Sequence, residues 1–324
     1  MNSTLSKVLK IVIPLGIGLS LIWYSLSSIT LSERLLLWNQ IKSANPYWLS
    51  LSIIIALLSH LSRAYKWKFM LEPLGYKTSL SVRFSAIMIG YVANLGIPRS
   101  GELLRAVTVS KYEDIPVQKV IGTVITERLL DLVMLLIVMF VTFLCNTDML
   151  LNYFEQQQIR PLNMVLSLLL TIGILGLGYY FLNKINFLFL VKIKSFVKEI
   201  YEGVLSVFSI ENKKAFIFHT IFIWLAYIGM FFVIKYCIQG TVNLSFSAVL
   251  MAFVAGSLAI STTNGGIGAY PLAIGLVLSF FAINKFDGEA YGWVVWGSQT
   301  LINIIVGALS YAYIALFLKK KIVY

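Results

Sequence analysis

Long apolar runs alternate with short polar ones along this chain. Runs of roughly 20 or more positions, long enough to cross a bilayer core as helix, cover Ile11–Ile29, Tyr47–Met70, Val120–Cys145, Pro161–Leu182, Ala215–Ile238 and Glu289–Leu318. Two more apolar stretches, Leu80–Lys111 and Ser245–Ile283, are broken midway by small and polar residues. Neither half of either stretch is long enough to span alone. Each therefore reads as a re-entrant hairpin of two short helices. The expected fold is an all-α polytopic membrane protein, a single integral membrane domain over residues 1–324. It has six full transmembrane helices plus two re-entrant broken-helix hairpins. The order span, span, hairpin, span occurs twice, over residues 1–145 with hairpin 80–111 and over 160–318 with hairpin 245–283. An odd number of crossings per half turns the second half over, which predicts an inverted-topology repeat with a substrate site where the hairpins meet.

Charge orients this layout. The chain carries a formal +12, with 59% hydrophobic and 12% charged residues, which excludes a soluble domain with a large apolar core. Arg63–Arg83 holds five basic residues against one acid, and basic residues also dominate Lys184–Lys214 and the C-terminal Lys319, Lys320 and Lys321. The connections on the other side are nearly neutral. Positive loops stay in the cytoplasm, so both termini are expected inside a bacterial inner (plasma) membrane. Lys7 and Lys10 precede the first run, but no small-residue cleavage site follows it, so a retained helix is expected rather than a signal peptide. Arg63, Lys66 and Lys68, beside Trp67, read as interfacial basic residues ending the second span. Lys192, Lys194 and Lys198 read as a face resting on anionic lipid heads. Asp287 and Glu289 read as solvated loop residues.

The polar residues inside the apolar chain are the candidates for chemistry, because charge at membrane depth is costly and marks function or a partner. The richest stretch is Gly90–Asp131. Asn94, Pro98, Arg99, Gly101, Glu102 and Arg105 cluster around the first break. A helix starting there exposes N–H groups to an anion, and Arg99 beside it can grip a phosphate. Glu102 and Arg105, three apart, share a face and can pair; Asn94 can close the broken backbone or meet a headgroup. The whole cluster can equally be an ion-pair set that pins the hairpin. Glu127, Arg128 and Asp131 follow, a turn or two inside their span. They fit carboxylate partners for the hairpin arginines, a proton or cation site, or a salt bridge at the helix start. The second break offers only neutral groups: Ser261, Thr262, Thr263 and Asn264, with Gly265, Gly266 and Gly268 permitting tight turns.

The sequence holds no metal-ligand spacing, nucleophile–base pair or nucleotide-binding glycine loop following a strand, so neither metal nor cofactor is expected. Nothing in it resembles a nucleic-acid-binding motif. Cys145 and Cys237 are expected as free thiols, and His60 and His219 as packing residues.

Arg63–x–x–Lys66–Trp67, Asn94–x–x–x–Pro98–Arg99–x–Gly101–Glu102–x–x–Arg105, Glu127–Arg128–x–x–Asp131 and Asn264–Gly265–Gly266–Ile267–Gly268, in this order, resemble the lysylphosphatidylglycerol synthase transmembrane-region (flippase-like domain) family. That family includes the membrane domain of multiple peptide resistance factors. The resemblance covers nearly the whole chain. It implies translocation of an anionic or modified phospholipid or lipid-linked intermediate, with the two charged clusters as headgroup contacts. Two departures bear on the cargo. Asn264 stands where the family commonly has proline, and Tyr270–Pro271 stand where an acid often follows the glycine turn. No aminoacyltransferase domain is present in the sequence, so lysyl-lipid synthesis is not expected of it. Three activities are therefore weighed: a lipid translocase, an accessory subunit of a glycosyltransferase or lipid-modifying enzyme, and a membrane enzyme acting on lipid phosphate. The first leads. The partners expected are membrane lipids, a separate lipid-modifying enzyme or glycosyltransferase, and further copies of the chain in a homo-oligomer.

Overall fold

The computed structural model describes residues 23, 30–97, 99–156 and 209–317. Among them every regular element is helical. In chain order these are α1 (Leu31–Lys42), α2 (Pro46–Leu71), α3 (Leu80–Gly96), α4 (Ser100–Glu113), α5 (Val117–Cys145), α6 (Thr147–Gln156), α7 (Lys213–Val233), α8 (Phe246–Ala259), α9 (Ala269–Ser279) and α10 (Lys285–Phe317). Local chemistry sets the boundaries. Asn45 Oδ1 accepts from Tyr47 N (3.0 Å) with Pro46 opening α2, as a proline lacking an N–H does without loss at a helix start. Ser79 caps α3 by accepting from Val82 N, and Ser245 caps α8 by accepting from Ala248 N.

Four helices are long and apolar enough to cross a membrane: α2, α5, α7 and α10. They coincide with four of the six expected spans, and the protein is membrane-embedded. Apart from Trp23, the other two spans, Ile11–Ile29 and Pro161–Leu182, lie outside the described residues, as do most of Lys184–Lys214 and the terminal lysines. The mixed segment before α2 forms α1, which packs on α10 while Leu35, Leu36 and Trp38 stay exposed.

Both interrupted stretches are pairs of short helices broken where the sequence places the breaks, between α3 and α4 and between α8 and α9. The first pair packs backbone to backbone. A Cβ added to Gly90 would lie 2.8 Å from Gly101 O, and one on Gly101 would overlap the Gly90 carbonyl. Such close approach through small residues drives helix association in lipid, where apolar burial contributes little. In the second half, α9 lies on α10 in the same way: a Cβ on Gly292 would meet Pro271 Cα at 2.6 Å. The two halves touch at their hairpins. α3 packs along α10 and against the turn at residues 264–266, where a Cβ on Gly265 would meet Leu95 Cδ2 at 2.9 Å.

Two expectations change here. Glu289 is not a solvated loop residue. It belongs to the first turns of α10 and is 2% exposed, packed against Gly275, because α10 begins at Lys285. Asp287, also within α10, is partly buried and accepts from Gln40 of α1.

The glycine contact gives a direct test. Gly101→Ala is expected to destabilise the detergent-solubilised protein by the about 1–3 kcal/mol that forced overpacking costs, read as a lower thermal midpoint. Gly96→Ala, at a position with nothing within 4 Å, should leave the midpoint unchanged. Equal midpoints for both variants would refute tight α3–α4 packing.

Candidate functional site

The charged residues of α2, α4 and α5 converge on one carboxylate. Glu127 is fully buried and accepts from Arg63 Nη1 on one oxygen and from Arg105 Nη2 (2.9 Å) on the other. Arg63 also holds Asp131 bidentately, through Nη1–Oδ2 (2.9 Å) and Nη2–Oδ1 (3.2 Å). The i, i+4 spacing of Glu127 and Asp131 puts both on the face of α5 that meets α2. Arg63 and Arg105 are each about 2% exposed, and their flat guanidinium groups lie near aromatic rings. Arg105 sits 5.0 Å from the centroid of Trp67 and Arg63 sits 5.8 Å from that of Tyr227. Trp67 is held in turn by an Nε1–H bond to Thr123 Oγ1 (2.9 Å).

A second layer faces outward. Arg128 bonds Asp131 Oδ2 (3.1 Å) and pairs with Glu102 Oε1 (3.1 Å). This corrects the expected pairing of Glu102 with Arg105. The two do share a helix, but α4 presents Arg105 to the interior and leaves Glu102 at the edge, so each finds its partner on α5. Nor does the α5 trio sit a turn or two inside. α5 starts at Val117, which puts Glu127 about three turns deep. The carboxylates are neutralised mainly by Arg63 and Arg105, whereas Arg99 is exposed on the outside.

Arg63 and Lys66 do not snorkel outward. Both are buried, and only Lys68 has the expected half-exposed place, 3.5 Å from Glu72. The buried face of α2 mixes polar and charged residues with Trp67, Met70 and Leu71. Ile54, Leu58, Leu61 and Tyr65 are exposed, while Ser52, Ser59, Arg63 and Lys66 face inward. The signal was present in the sequence: serines and charges recur on one face of an otherwise apolar span, which places them toward a bundle interior. Lys66 Nζ has no hydrogen-bond partner among the described residues. It is within electrostatic reach of Glu127 and Asp131. With Arg63, Arg105 and Arg128 it makes four cations facing the three carboxylates Glu102, Glu127 and Asp131, a surplus of one positive charge.

Asn94 closes the broken backbone. Its Oδ1 accepts from Gly101 N (2.8 Å), and Ser100 Oγ donates to Ala93 O (3.1 Å). The start of α4 is thus partly satisfied from within. Arg99, at φ 62, makes the turn in a backbone region that non-glycine residues seldom adopt. Pro98 lies outside the described residues. At the second break Ser261 and Thr262 are exposed and donate back to Leu258 O and Ala259 O, and Thr263 donates to Ile267 O. Gly265, Gly266 and Gly268 all have positive φ, as the turn requires. Of these groups only Gly265 reaches the interior space described next, where its carbonyl accepts from Trp296 Nε1 (2.7 Å).

A cavity of about 540 Å³ lies between the two hairpins. Arg63, Glu102, Arg128 and Asp131 form one wall, Asn94 and Tyr91 of α3 another. Tyr227 of α7, Ser257 of α8, Tyr270 of α9 and Trp296 of α10 complete it. Sequence reasoning missed the α10 wall. Trp296, Gln299 and Asn303 recur at i, i+3 and i+7 in an apolar span, the periodicity of one helix face. His60 was expected only to pack, and it lines this cavity 4.8 Å from the Tyr91 ring. His219 does pack, bonded to Ser62 Oγ (2.8 Å) beside Tyr65. A second groove of about 470 Å³, lined by Arg99, Leu103, Val124 and Leu129, shares Glu102, Arg128 and Leu132 with the cavity.

Glu127→Gln should destabilise the protein strongly, by the about 3–5 kcal/mol typical of breaking a buried ion pair. Glu102→Gln, at a partly exposed pair, should cost no more than about 1 kcal/mol. Thermal midpoints of the two purified variants check this, and comparable shifts would contradict the central role of Glu127.

A 92-residue segment is 33% identical to UPF0104 membrane protein MJ1595 of Methanocaldococcus jannaschii, a match covering 28% of this chain and 27% of that relative. No solved structure matches. The family model described as "Lysylphosphatidylglycerol synthase TM region" matches residues 11–307. With its inward-facing charges and broken helices in the matched region, this chain belongs to the lysylphosphatidylglycerol synthase transmembrane-region family.

Proposed function

We propose that this protein is a lipid translocase that passes an anionic headgroup through the cavity between its two hairpins. One observation carries the reading: on one side the cavity is lined by charged groups, Arg63 and Arg128 with Glu102 and Asp131, and it is apolar where Leu132, Leu135 and Phe253 line it. Such a space suits a phosphate at one end and the start of an acyl chain at the other. Arginine binds phosphate through paired donors, and the partly exposed Arg128 at the cavity wall can exchange a carboxylate for a phosphate oxygen. The shared residues Glu102 and Arg128 make the outer groove a lateral way in from the bilayer.

The helix order supports an inverted-topology repeat of six spans with both termini cytoplasmic. Long helix, broken pair, long helix occurs as α2, α3–α4, α5 and again as α7, α8–α9, α10. In such repeats the site lies where the broken helices meet, and rocking of one half against the other gives alternating access. We read the protein as a transporter rather than an enzyme because arginines engage Glu127, Asp131 and Glu102, the carboxylates of the cluster, which suits positioning better than proton transfer. Downhill movement or coupling to an ion would drive the cargo. A separate lipid-modifying enzyme or glycosyltransferase would supply it on one side of a bacterial inner membrane, and copies of the chain would work as monomers or in a homo-oligomer.

Proteoliposomes carrying fluorescent anionic, zwitterionic or aminoacylated lipids test this. The anionic lipid should cross fastest. Arg128→Gln, which leaves the Glu127 pairs intact, should slow it about tenfold or more, the worth of a charge-assisted hydrogen bond. Absence of movement for every lipid, from folded protein, would sink the translocase reading and favour an accessory role.

A further inference from the structure

Beside the ion-pair network, one wall of the cavity holds hydrogen-bonding groups that the network does not use. His60 and Trp224 are each more than nine-tenths buried. Both imidazole nitrogens of His60, Trp224 Nε1, Gln299 Nε2 and Asn303 Oδ1 are buried and without a hydrogen-bond partner among the described residues, and all four side chains line the cavity. Asn303 stands beside His60 and interacts with it, though not in full hydrogen-bond geometry. A buried polar atom without a partner costs about 1–3 kcal/mol, so four such side chains around one space are an expense that a ligand offsets.

The types of these groups select the ligand. Trp224 Nε1 and Gln299 Nε2 are donors, Asn303 Oδ1 is an acceptor, and a neutral imidazole is both. A phosphate only accepts and an ammonium only donates, so neither satisfies this mixture. Hydroxyl groups both donate and accept. No carboxylate lies on this wall for a cationic headgroup. The Tyr91 ring beside His60 and the Trp296 ring bonded to Gly265 O supply flat apolar faces against which the C–H face of a sugar or polyol ring packs. We infer that this wall is a subsite for a neutral, hydroxyl-rich headgroup. The cargo is then a phospholipid or lipid phosphate whose phosphodiester bears a glycosyl or polyol group, with phosphate at Arg63 and Arg128 and hydroxyls at His60, Gln299 and Asn303. This inference rests on the cavity being the headgroup site.

Three short-chain lipids with the same tails and the same single negative charge separate the contributions: phosphatidylmethanol with no headgroup hydroxyl, phosphatidylglycerol with few, and phosphatidylinositol with many. Binding to the full detergent-solubilised chain is measured by titration calorimetry. Affinity should rise along that series, with phosphatidylinositol at least about tenfold tighter than phosphatidylmethanol, since a site built for hydroxyls rejects analogues lacking them. The pair Gln299→Leu with Asn303→Leu, and separately His60→Phe, should abolish that preference while phosphatidylmethanol binds as before, which also shows the variants are folded. Equal affinity of the unmodified protein for all three lipids overturns the subsite and leaves the phosphate reading standing. A preference that survives every variant overturns its assignment to these residues. Failure of the folded protein to bind any of them overturns the headgroup cavity itself, and the subsite with it.

Discussion

A fully buried carboxylate in a protein that is itself surrounded by hydrocarbon has no solvent to fall back on. Glu127 meets this constraint with two arginines from two other helices, Arg63 on α2 and Arg105 on α4. That single requirement ties three elements together at a depth where apolar contacts give little preference for one neighbour over another. It also sets what remains. With Arg105 committed inward, Glu102 is left at the helix edge for Arg128, and Arg128 in turn bridges to Asp131. Glu127 and Arg105 lie behind the cavity wall, while Arg63 and the partly exposed outer layer line it, within reach of a ligand.

Close backbone contact provides the second constraint. Gly90 against Gly101 brings α3 and α4 together, and Gly265 against Leu95 brings the two hairpins tip to tip. The space they enclose inherits its polarity from the helices around it: charge from α2 and α5, neutral hydrogen-bonding groups from α10, aliphatic and aromatic surface from α7 and α8. An amphiphile is the class of molecule whose own polarity follows the same division.

Much of this was legible one residue at a time. Pro46 after Asn45 marks a helix start, and the small residues at positions 96–101 and 261–268 mark breaks, because each acts through the backbone of its own segment. Pairings were harder. Glu102 and Arg105 have the spacing of a helix pair, yet a stronger requirement from Glu127 on α5 took Arg105. Arg63 and Lys66 have the look of snorkelling residues beside Trp67, and their burial depends on α5 and α7 lying against that face of α2. Glu289 was misjudged for the same reason: its surroundings come from α9, packed against it.

Composition and periodicity alone determined that the chain is membrane-embedded and helical, where its helices begin and break, and that charges at residues 99–131 sit among apolar neighbours. These depend on backbone propensities and on the transfer of side chains from water to lipid, which are local properties. Only the tertiary structure decided which arginine holds which carboxylate, that Arg63 rather than Arg99 lines the interior, and that His60, Gln299 and Asn303 share one wall. Those outcomes depend on distances between helices, and an ion pair or a hydrogen bond exists only once packing has brought donor and acceptor within about 3 Å.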